Sequence, residues 1–453
     1  MKVALVVPRT QRRFSDICVP SNLLYIAAYL RSKIPSVEIR IFDGSIDYSP
    51  IGYDLDGEIF RFCPDVVGVT ATTPQILSAY RLGDVLKRNL PDILTVIGGV
   101  HASALPEEAK QHFDVIVTGE GEKAFACIVA DCANFKAKAP IIVEGEAISD
   151  LDTLPFPAYD LIYLPAYLNT SSNSFQNMLM NEPIMQLVTS RGCVGRCPFC
   201  YNSVLKPKLR FFSVKRVVEE LQFLHEKYGV NNFFFHDDEF LANKSRLREL
   251  FDLAKTRGVD RWLRFVCQAR VQSLNDVSFL KNLKASGCMG ILVGFESHNQ
   301  RVLNYLKTNS TTLKDQKDAV RNANLAGLIV YGSFIFGAPT ETLREMWDTL
   351  FWALTAKISK VGFGLLVPYP GSKVYQYAVK IGLLDKLNYD LMLPSGRLFS
   401  YTVLVNSTVT RWQLKQFLRL VRVLLRVKTL VVSFRSLGST FRPFKVSRKV
   451  AYS

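Results

Sequence analysis

Short, nearly continuous apolar runs recur through the first third of the chain, separated by segments whose apolar positions fall three and four apart. Val3–Val7, Val66–Val69, Thr95–Gly98 and Val115–Val117 are nearly continuous apolar runs, and Glu38–Phe42 is a fifth short run with apolar Ile39, Ile41 and Phe42. Such runs mark strands covered on both faces, so they predict five parallel strands. Leu23–Arg31, Gln75–Arg88 and Pro106–Gln111 predict helices between them. This order predicts a doubly wound, Rossmann-like α/β sheet whose ligand site lies beyond the carboxyl ends of its strands.

A second series follows. Met185–Val188, Asn232–Phe235, Arg264–Arg270, Gly290–Ser297, Val330–Gly337 and Val361–Leu366 read as six further strands. The helix between the first two, Val214–Tyr228, carries Val217, Val218, Leu221 and Leu224 on one face. Six such units predict a partial (β/α)6 barrel of the TIM type, with reactive residues at the carboxyl ends of the strands. Between the two series the periodicity weakens and Pro140, Pro155, Pro157 and Pro165 appear. The expected units are therefore 1–135, a linker at 136–183, a barrel at 184–385 and a basic helical region at 386–453.

At 453 residues and 48% hydrophobic content, the chain can bury two or three cores. Its amino terminus reads as a first strand and not as a secretory signal. No apolar run reaches the roughly 18 residues a spanning helix needs, so a cytoplasmic protein is expected. The net charge of +16 raises nucleic acid or membrane as partners. Its distribution favours the second: twelve basic residues and no acidic ones lie between Leu391 and Ser453. There Arg411, Lys415, Arg419, Arg422 and Arg426 form one stripe of a helix that also carries Trp412, Leu414, Phe417, Leu418, Val421, Leu424 and Leu425. The stripe fits a cap on the barrel with a solvated basic face, or a peripheral contact through 411–433 with the cytoplasmic face of a membrane. No RNA-binding module accompanies it, so nucleic acid is disfavoured.

The chemistry concentrates at strand ends. The first strand runs into Pro8-Arg9-Thr10-Gln11-Arg12-Arg13 and not into a Gly-x-Gly-x-x-Gly turn, which argues against a dinucleotide. Instead, Thr70, Thr72 and Thr73 follow the third strand, Gly98, Gly99 and His101 the fourth, and Gly119, Glu120 and Gly121 the fifth. Glycines allow close backbone approach and hydroxyls can bond a polar tail. In the second half, Cys193, Cys197 and Cys200 sit at a three-then-two spacing on a glycine-bearing loop. A structural zinc site takes four protein ligands, and so does a fully cysteine-ligated iron-sulfur cluster. Zinc would need a fourth donor from Cys267, Cys288 or His236. A four-iron cluster on three cysteines keeps one iron open.

The run Cys193-Val194-Gly195-Arg196-Cys197-Pro198-Phe199-Cys200 resembles the signature of the radical S-adenosylmethionine superfamily, with Phe199 as its aromatic. The resemblance implies a 4Fe-4S cluster on Cys193, Cys197 and Cys200, whose open iron is chelated by S-adenosylmethionine (AdoMet). The cofactors carry the hard chemistry, and the protein orients them. Gly98 to Glu108 and Gly119 to Glu122 are similar to the cobalamin-binding half of the cobalamin-dependent members. That likeness implies cobalamin contacts at the strand-end residues above. No Asp-x-His-x-x-Gly sequence offers a histidine below the cobalt. His101 is a substitute candidate, set against a hydrogen-bonding or packing role.

Carried over residue by residue, the resemblance implies AdoMet contacts from Gln268, Arg270, Glu296, Ser297 and Lys307. Their plain alternatives are a buried Arg270–Glu296 ion pair and a solvated lysine at a helix end. Asp237 and Asp238 stand as substrate contacts or as a helix cap. The implied function is a methyltransferase acting on an unactivated carbon or a phosphorus centre, methylating a substrate radical from methylcobalamin. The alternatives are radical cyclisation, oxidation or rearrangement, and a non-catalytic iron-sulfur or cobalamin module. A small-molecule substrate is implied, a lipid or tetrapyrrole fitting the basic helix, with a reductase, flavodoxin or ferredoxin as electron donor.

Overall fold

In the computed structural model, which describes residues 1–9, 18–46, 54–168, 184–205, 207–383, 389, 392 and 405–437, the two predicted series become two six-stranded parallel sheets. Residues 10–13 of the first turn, and Arg397, Arg442, Lys445, Arg448 and Lys449 of the basic tail, lie outside the described residues.

The first sheet contains β1 (Lys2–Val7), β2 (Glu38–Asp43), β3 (Val66–Thr70), β4 (Leu94–Gly98), β5 (Val115–Gly119) and β6 (Ile141–Gly145). Their spatial order is β2-β1-β3-β4-β5-β6, all parallel. Chain direction across the sheet reverses between β1 and β3, so the crevice at their carboxyl ends is the switch point. Alternate residues feed two cores. Val3, Leu5, Val66 and Val96 pack under helices Ser21–Lys33 and Gly121–Ala130, while Ala4, Val6, Val67 and Ile97 pack under Leu55–Phe62 and Ile76–Asn89.

The sixth strand lies where the sequence reading begins the linker. Only three apolar residues mark β6, and as an edge strand it is half-buried along most of its length. Its periodic signal is correspondingly weak. The rest of the connection packs across both halves: Tyr159 donates to the buried Glu220 at 2.7 Å, and Arg216 donates to the Leu154 and Pro155 carbonyls.

The second sheet begins with β7 (Met185–Leu187). Two short strands follow, β8 (Ser190–Arg191) and β9 (Arg210–Phe211), which pair antiparallel with each other. Then come β10 (Asn232–Phe235), β11 (Arg264–Ala269), β12 (Cys288–Glu296), β13 (Ile329–Phe336) and β14 (Lys360–Leu365). Their order, β7-β10-β11-β12-β13-β14, is sequential and parallel, with β7 and β14 as free edges. This is the expected open (β/α)6 barrel. Phe233, Phe235, Phe265, Phe295, Phe334 and Phe336 fill the space between strands and helices, and Phe234, Val266 and Leu292 form a small cluster on the opposite strand face.

Helix Arg411–Leu437 closes one side. Leu414, Phe417, Leu418 and Val421 are buried, Phe417 meeting Phe336 at 5.0 Å and Trp347 at 5.2 Å. Just before it, Asn406 donates to the carbonyls of Ala338 (2.6 Å) and Glu341 (2.7 Å), and the Ser407 amide to that of Pro339. The basic stripe stays exposed beside Trp412 and Val423. The helix is thus a docked cap with a solvated outer face.

Candidate active site

The cysteine loop is closed by the β8–β9 pair, which makes a two-rung stem. Gly192 leaves the stem at φ 92°, and a Cβ there would sit 2.5 Å from the Lys208 carbonyl oxygen. Glycine is required by both its dihedral and its space. Within the loop, the Gly195 amide donates to Cys193 Sγ at 3.2 Å, and a Cβ on Gly195 would meet Cys193 Sγ at 3.3 Å and Cys197 Sγ at 3.8 Å. Cys200 joins them through a turn in which its amide donates to the Cys197 carbonyl.

Burial pushes the free Cys193 thiol up and Cys200 up to about 11, with Asp238 and the neighbouring thiols adding to the effect at Cys200. Two half-buried thiols that resist ionisation, set beside a third, are poor partners for one another. Iron compensates the charge that burial penalises, because a coordinating thiol is deprotonated outright. Among the described residues, no three His, Cys, Asp or Glu side chains converge on a point one metal ion could occupy. A cluster does not ask this, since each thiolate takes a different iron. The zinc alternative also loses its donors. Cys267 and Cys288 are free thiols, fully buried in adjacent strands and hydrogen-bonded to each other, while the His236 ring packs 4.8 Å from that of Phe234. The donor set therefore fits an iron-sulfur cluster with an open iron.

Asp237 does not face a substrate. It is fully buried and accepts from the Thr189 amide, the Thr189 hydroxyl and the Ser190 hydroxyl, fastening the entry of the stem. Burial raises it to about 6, and its Oδ2 has no hydrogen-bond partner among the described residues. Asp238 is exposed and accepts from Asn202 of the loop at 3.0 Å.

Around the thiols stand Arg270, whose Nε lies 3.9 Å from the Gly195 Cβ position, and Lys307, which feels the Cys197 charge. Arg270 does not pair with Glu296. It donates to Ser310 at 3.0 Å and faces the buried Glu239 at 4.0 Å. Glu296 stands at a register shift near the end of β12 with φ 61° and pairs with Lys307 at 2.7 Å, so Lys307 is not a solvated helix-end lysine. Gln268 is half-buried near the end of β11. Ser297 is fully buried against Thr349 at 3.0 Å and braces the turn from behind. Phe199 packs beside Val302, Leu306 and Val374. Glu239, facing Arg270, is a nearby group that motif reading passes over. Its only signal is an acid immediately after Asp237–Asp238.

At the first sheet's strand ends the expected residues divide. Thr70, Thr72, Gly98 and Gly99 remain accessible at the β3 and β4 ends. Gly99 has φ 97°, and a Cβ there would lie 2.8 Å from the Ala71 carbonyl oxygen. Gly119 is exposed with φ 81°. These glycines and hydroxyls leave a cradle of bare backbone, which fits a large planar cofactor. Thr73 and His101 turn inward. His101 has no exposed surface, sits 3.2 Å from Thr73 Oγ1 and 3.7 Å from Glu108, and is capped by Tyr389 at 4.8 Å. A ring so enclosed does not present a nitrogen to a cobalt. Glu120 is likewise committed, bonding Arg210 and lying 3.3 Å from Arg191, and Gly121 beside it starts a helix. Burial would raise Glu120, but Arg210 and Arg191 hold it below the usual carboxylate range. Tyr201 of the cysteine loop packs on Gly371 and bonds Ser103, so the two sets of strand ends face one another.

The B12 binding domain family model matches residues 12–129, and the Radical SAM superfamily model matches residues 187–353. An uncharacterized methyltransferase of Pyrococcus horikoshii is 31% identical over 410 residues, covering 86% of this chain and 85% of that one. Bacteriochlorophyllide d C-8(2)-methyltransferase of Chlorobaculum tepidum is 26% identical, covering 92% of each. An anaerobic magnesium-protoporphyrin IX monomethyl ester cyclase of Cereibacter sphaeroides is 24% identical over 87% of this chain and 66% of its own. Among solved structures, the radical S-adenosylmethionine methyltransferase TsrM of Kitasatospora setae superposes with a TM-score of 0.64 at 19% identity, covering 84% of this chain and 77% of that one.

Proposed function

The chain belongs to the cobalamin-dependent radical S-adenosylmethionine methyltransferase family, and on that premise we propose that it methylates an unactivated carbon or a phosphorus centre of a small molecule. When bound, the cofactors supply a carbon-centred radical and a transferable methyl group. What remains for the protein is binding, orientation and exclusion of water.

Cys193, Cys197 and Cys200 hold the cluster, and no other barrel cysteine is placed to complete it. That incomplete set of thiols carries the reading, because it reserves one iron for AdoMet. Arg270 and Lys307 are the cations beside the thiols. In this reading Lys307, neutralised by Glu296, fixes the local field, and Arg270 remains for the AdoMet carboxylate. Gln268 offers an amide to the same space. Thr70, Thr72, Gly98, Gly99 and Gly119 hold the corrinoid on the unit that now runs through Gly145, facing the barrel unit at 184–385. Phe234, Val266 and Leu292 on the inner strand face give the barrel interior an apolar floor, and exclusion of water there would protect a radical from quenching.

The substrate proposed is an amphipathic small molecule of the tetrapyrrole or lipid class. Support comes from the named activity of the Chlorobaculum relative and from the exposed basic stripe near Trp412. Among the described residues no helix is long and apolar enough to cross a membrane, so contact would be peripheral, on the cytoplasmic face. A flavodoxin or ferredoxin is the proposed reductant. Cyclisation is the second reading, favoured by the cyclase relative. Anaerobic reconstitution with iron, sulfide and hydroxocobalamin tests the proposal. Retention of about four irons and about one cobalamin per chain, and stoichiometric S-adenosylhomocysteine on turnover, are expected. Turnover without S-adenosylhomocysteine selects cyclisation.

A further inference from the structure

The stem of the cysteine loop is built from a pair that should repel. In the β8–β9 register Arg191 stands directly opposite Arg210, and like charges at opposed positions of an antiparallel pair are destabilising. Neither arginine is free in solvent, their side chains being 18% and 13% exposed.

Among the described residues, the carboxylates that compensate them come from the other half of the molecule. Arg191 bonds Glu122 at 2.6 Å and lies 3.3 Å from Glu120, while Arg210 takes Glu120 with both of its terminal nitrogens. Glu120 and Glu122 lie on the turn and first helical residues after β5. Two arginines and two carboxylates thus form a neutral box between the first sheet and the cluster loop. Its edges are tied further: Glu120 also accepts from the Ile148 amide at 2.9 Å, Arg210 donates to the Ile148 carbonyl, and Arg191 lies over the Tyr25 ring at 5.2 Å. Buried or half-buried charge is tolerated only when it is paired in good geometry, so the stem closes fully only against a docked first unit.

We infer that Glu120 and Glu122 are positioning residues, and that the box with Arg191 and Arg210 sets where the cluster loop stands relative to the cobalamin-binding unit. The inference rests on the family reading for the identity of the two groups being positioned. Its structural half does not need them.

The test uses the full chain with Glu122→Gln, Arg191→Lys and the swap Glu122→Arg with Arg191→Glu. In cofactor-free protein, amide exchange across residues 190–192 is read against the barrel strands. Glu122→Gln should speed stem exchange roughly tenfold, as expected from removing one charge-assisted bond, while the barrel strands stay unchanged and the swap restores the slow rate. In holoenzyme, pulsed dipolar spectroscopy between the reduced cluster and cob(II)alamin should give one narrow distance in wild type, a broadened distribution in Glu122→Gln and a narrow one again in the swap. An unchanged stem rate and distance distribution in Glu122→Gln would overturn the inference. So would equal acceleration throughout the chain with no change in distance, since that is loss of stability alone. If Glu122→Gln fails to fold, Arg191→Lys, which keeps the charge but not the fork, carries the same readouts. Wild-type protein that retains no corrinoid sinks the family-based reading, and the exchange experiment still decides the box.

Discussion

Lys307 donates to Glu296 at 2.7 Å with both side chains more than nine-tenths buried, so the end of β12 carries a closed ion pair beside the cluster thiols. Burial would lower Lys307, but Glu296 and the nearby Cys197 keep its pKa raised. Removing one member of a buried pair leaves an uncompensated charge, typically costing about 3–5 kcal/mol. Lys307→Met is expected to lower barrel stability by that amount in denaturant titration of the cluster-free chain. The double variant Lys307→Met with Glu296→Gln should lose less than the two single changes added together.

Replacing any one of Cys193, Cys197 or Cys200 by alanine should leave the fold and abolish stable cluster retention. Far-ultraviolet circular dichroism checks the first half, and iron content after anaerobic reconstitution checks the second. Cys267→Ala should keep wild-type iron, because that thiol is buried in the strand core away from the loop. Loss of iron in Cys267→Ala with retention in Cys200→Ala would reverse the ligand assignment.

Glu341 gives the protein a pH signature. Its Oε2 accepts from the Gly337 and Ala338 amides, its Oε1 is buried without a partner among the described residues, and burial raises the group to about 8 from an ordinary 4.5. The folded state therefore binds this proton more tightly than the unfolded state. The stabilisation is complete below about pH 4.5 and is lost as pH rises to about 8. Glu341→Gln cannot titrate, so its melting temperature relative to wild type should move in the variant's favour between pH 5 and pH 8. A difference that stays constant across that range would remove Glu341 as the cause.

The outer face of Arg411–Leu437 predicts salt-sensitive binding to anionic vesicles. Arg419 and Arg426 are exposed, as is Trp412. A basic residue near an anionic surface contributes about 1 kcal/mol, so each of Arg419→Gln and Arg426→Gln should weaken binding roughly fivefold. Vesicle sedimentation with anionic and zwitterionic lipid measures this. Equal binding to both lipids, or none to either, would leave the helix as a cap alone.

Much of the fold was legible because strands buried on both faces write themselves as continuous apolar runs. β1, β3, β4 and β5 and most of the barrel strands stand out for that reason, while β2 shows itself only by the spacing of Ile39, Ile41 and Phe42. β6 does not, because an edge strand with three apolar residues resembles a loop. The β8–β9 stem has two residues a side, too few for any period. The cysteine spacing was local and specific, so the cluster loop could be read directly. The pairing of Glu120 was not legible for a physical reason: its arginine partners lie as far as 90 residues away in sequence, and a glycine-acid turn at a strand end looks the same whether it meets a cofactor or another side chain. His101 was ambiguous in the same way until Thr73, Glu108 and Tyr389 enclosed it.

The contacts of Asn406 and Phe417 also bear on biosynthesis. The turn at Ala338–Glu341 and the surface around Phe336 are synthesised some seventy residues before the segment that covers them. During translation those carbonyls must be satisfied by water, and Phe336 and Trp347 stand open. A nascent chain halted before Asn406 would therefore present an unfinished apolar wall, the kind of surface that chaperones hold and proteases enter.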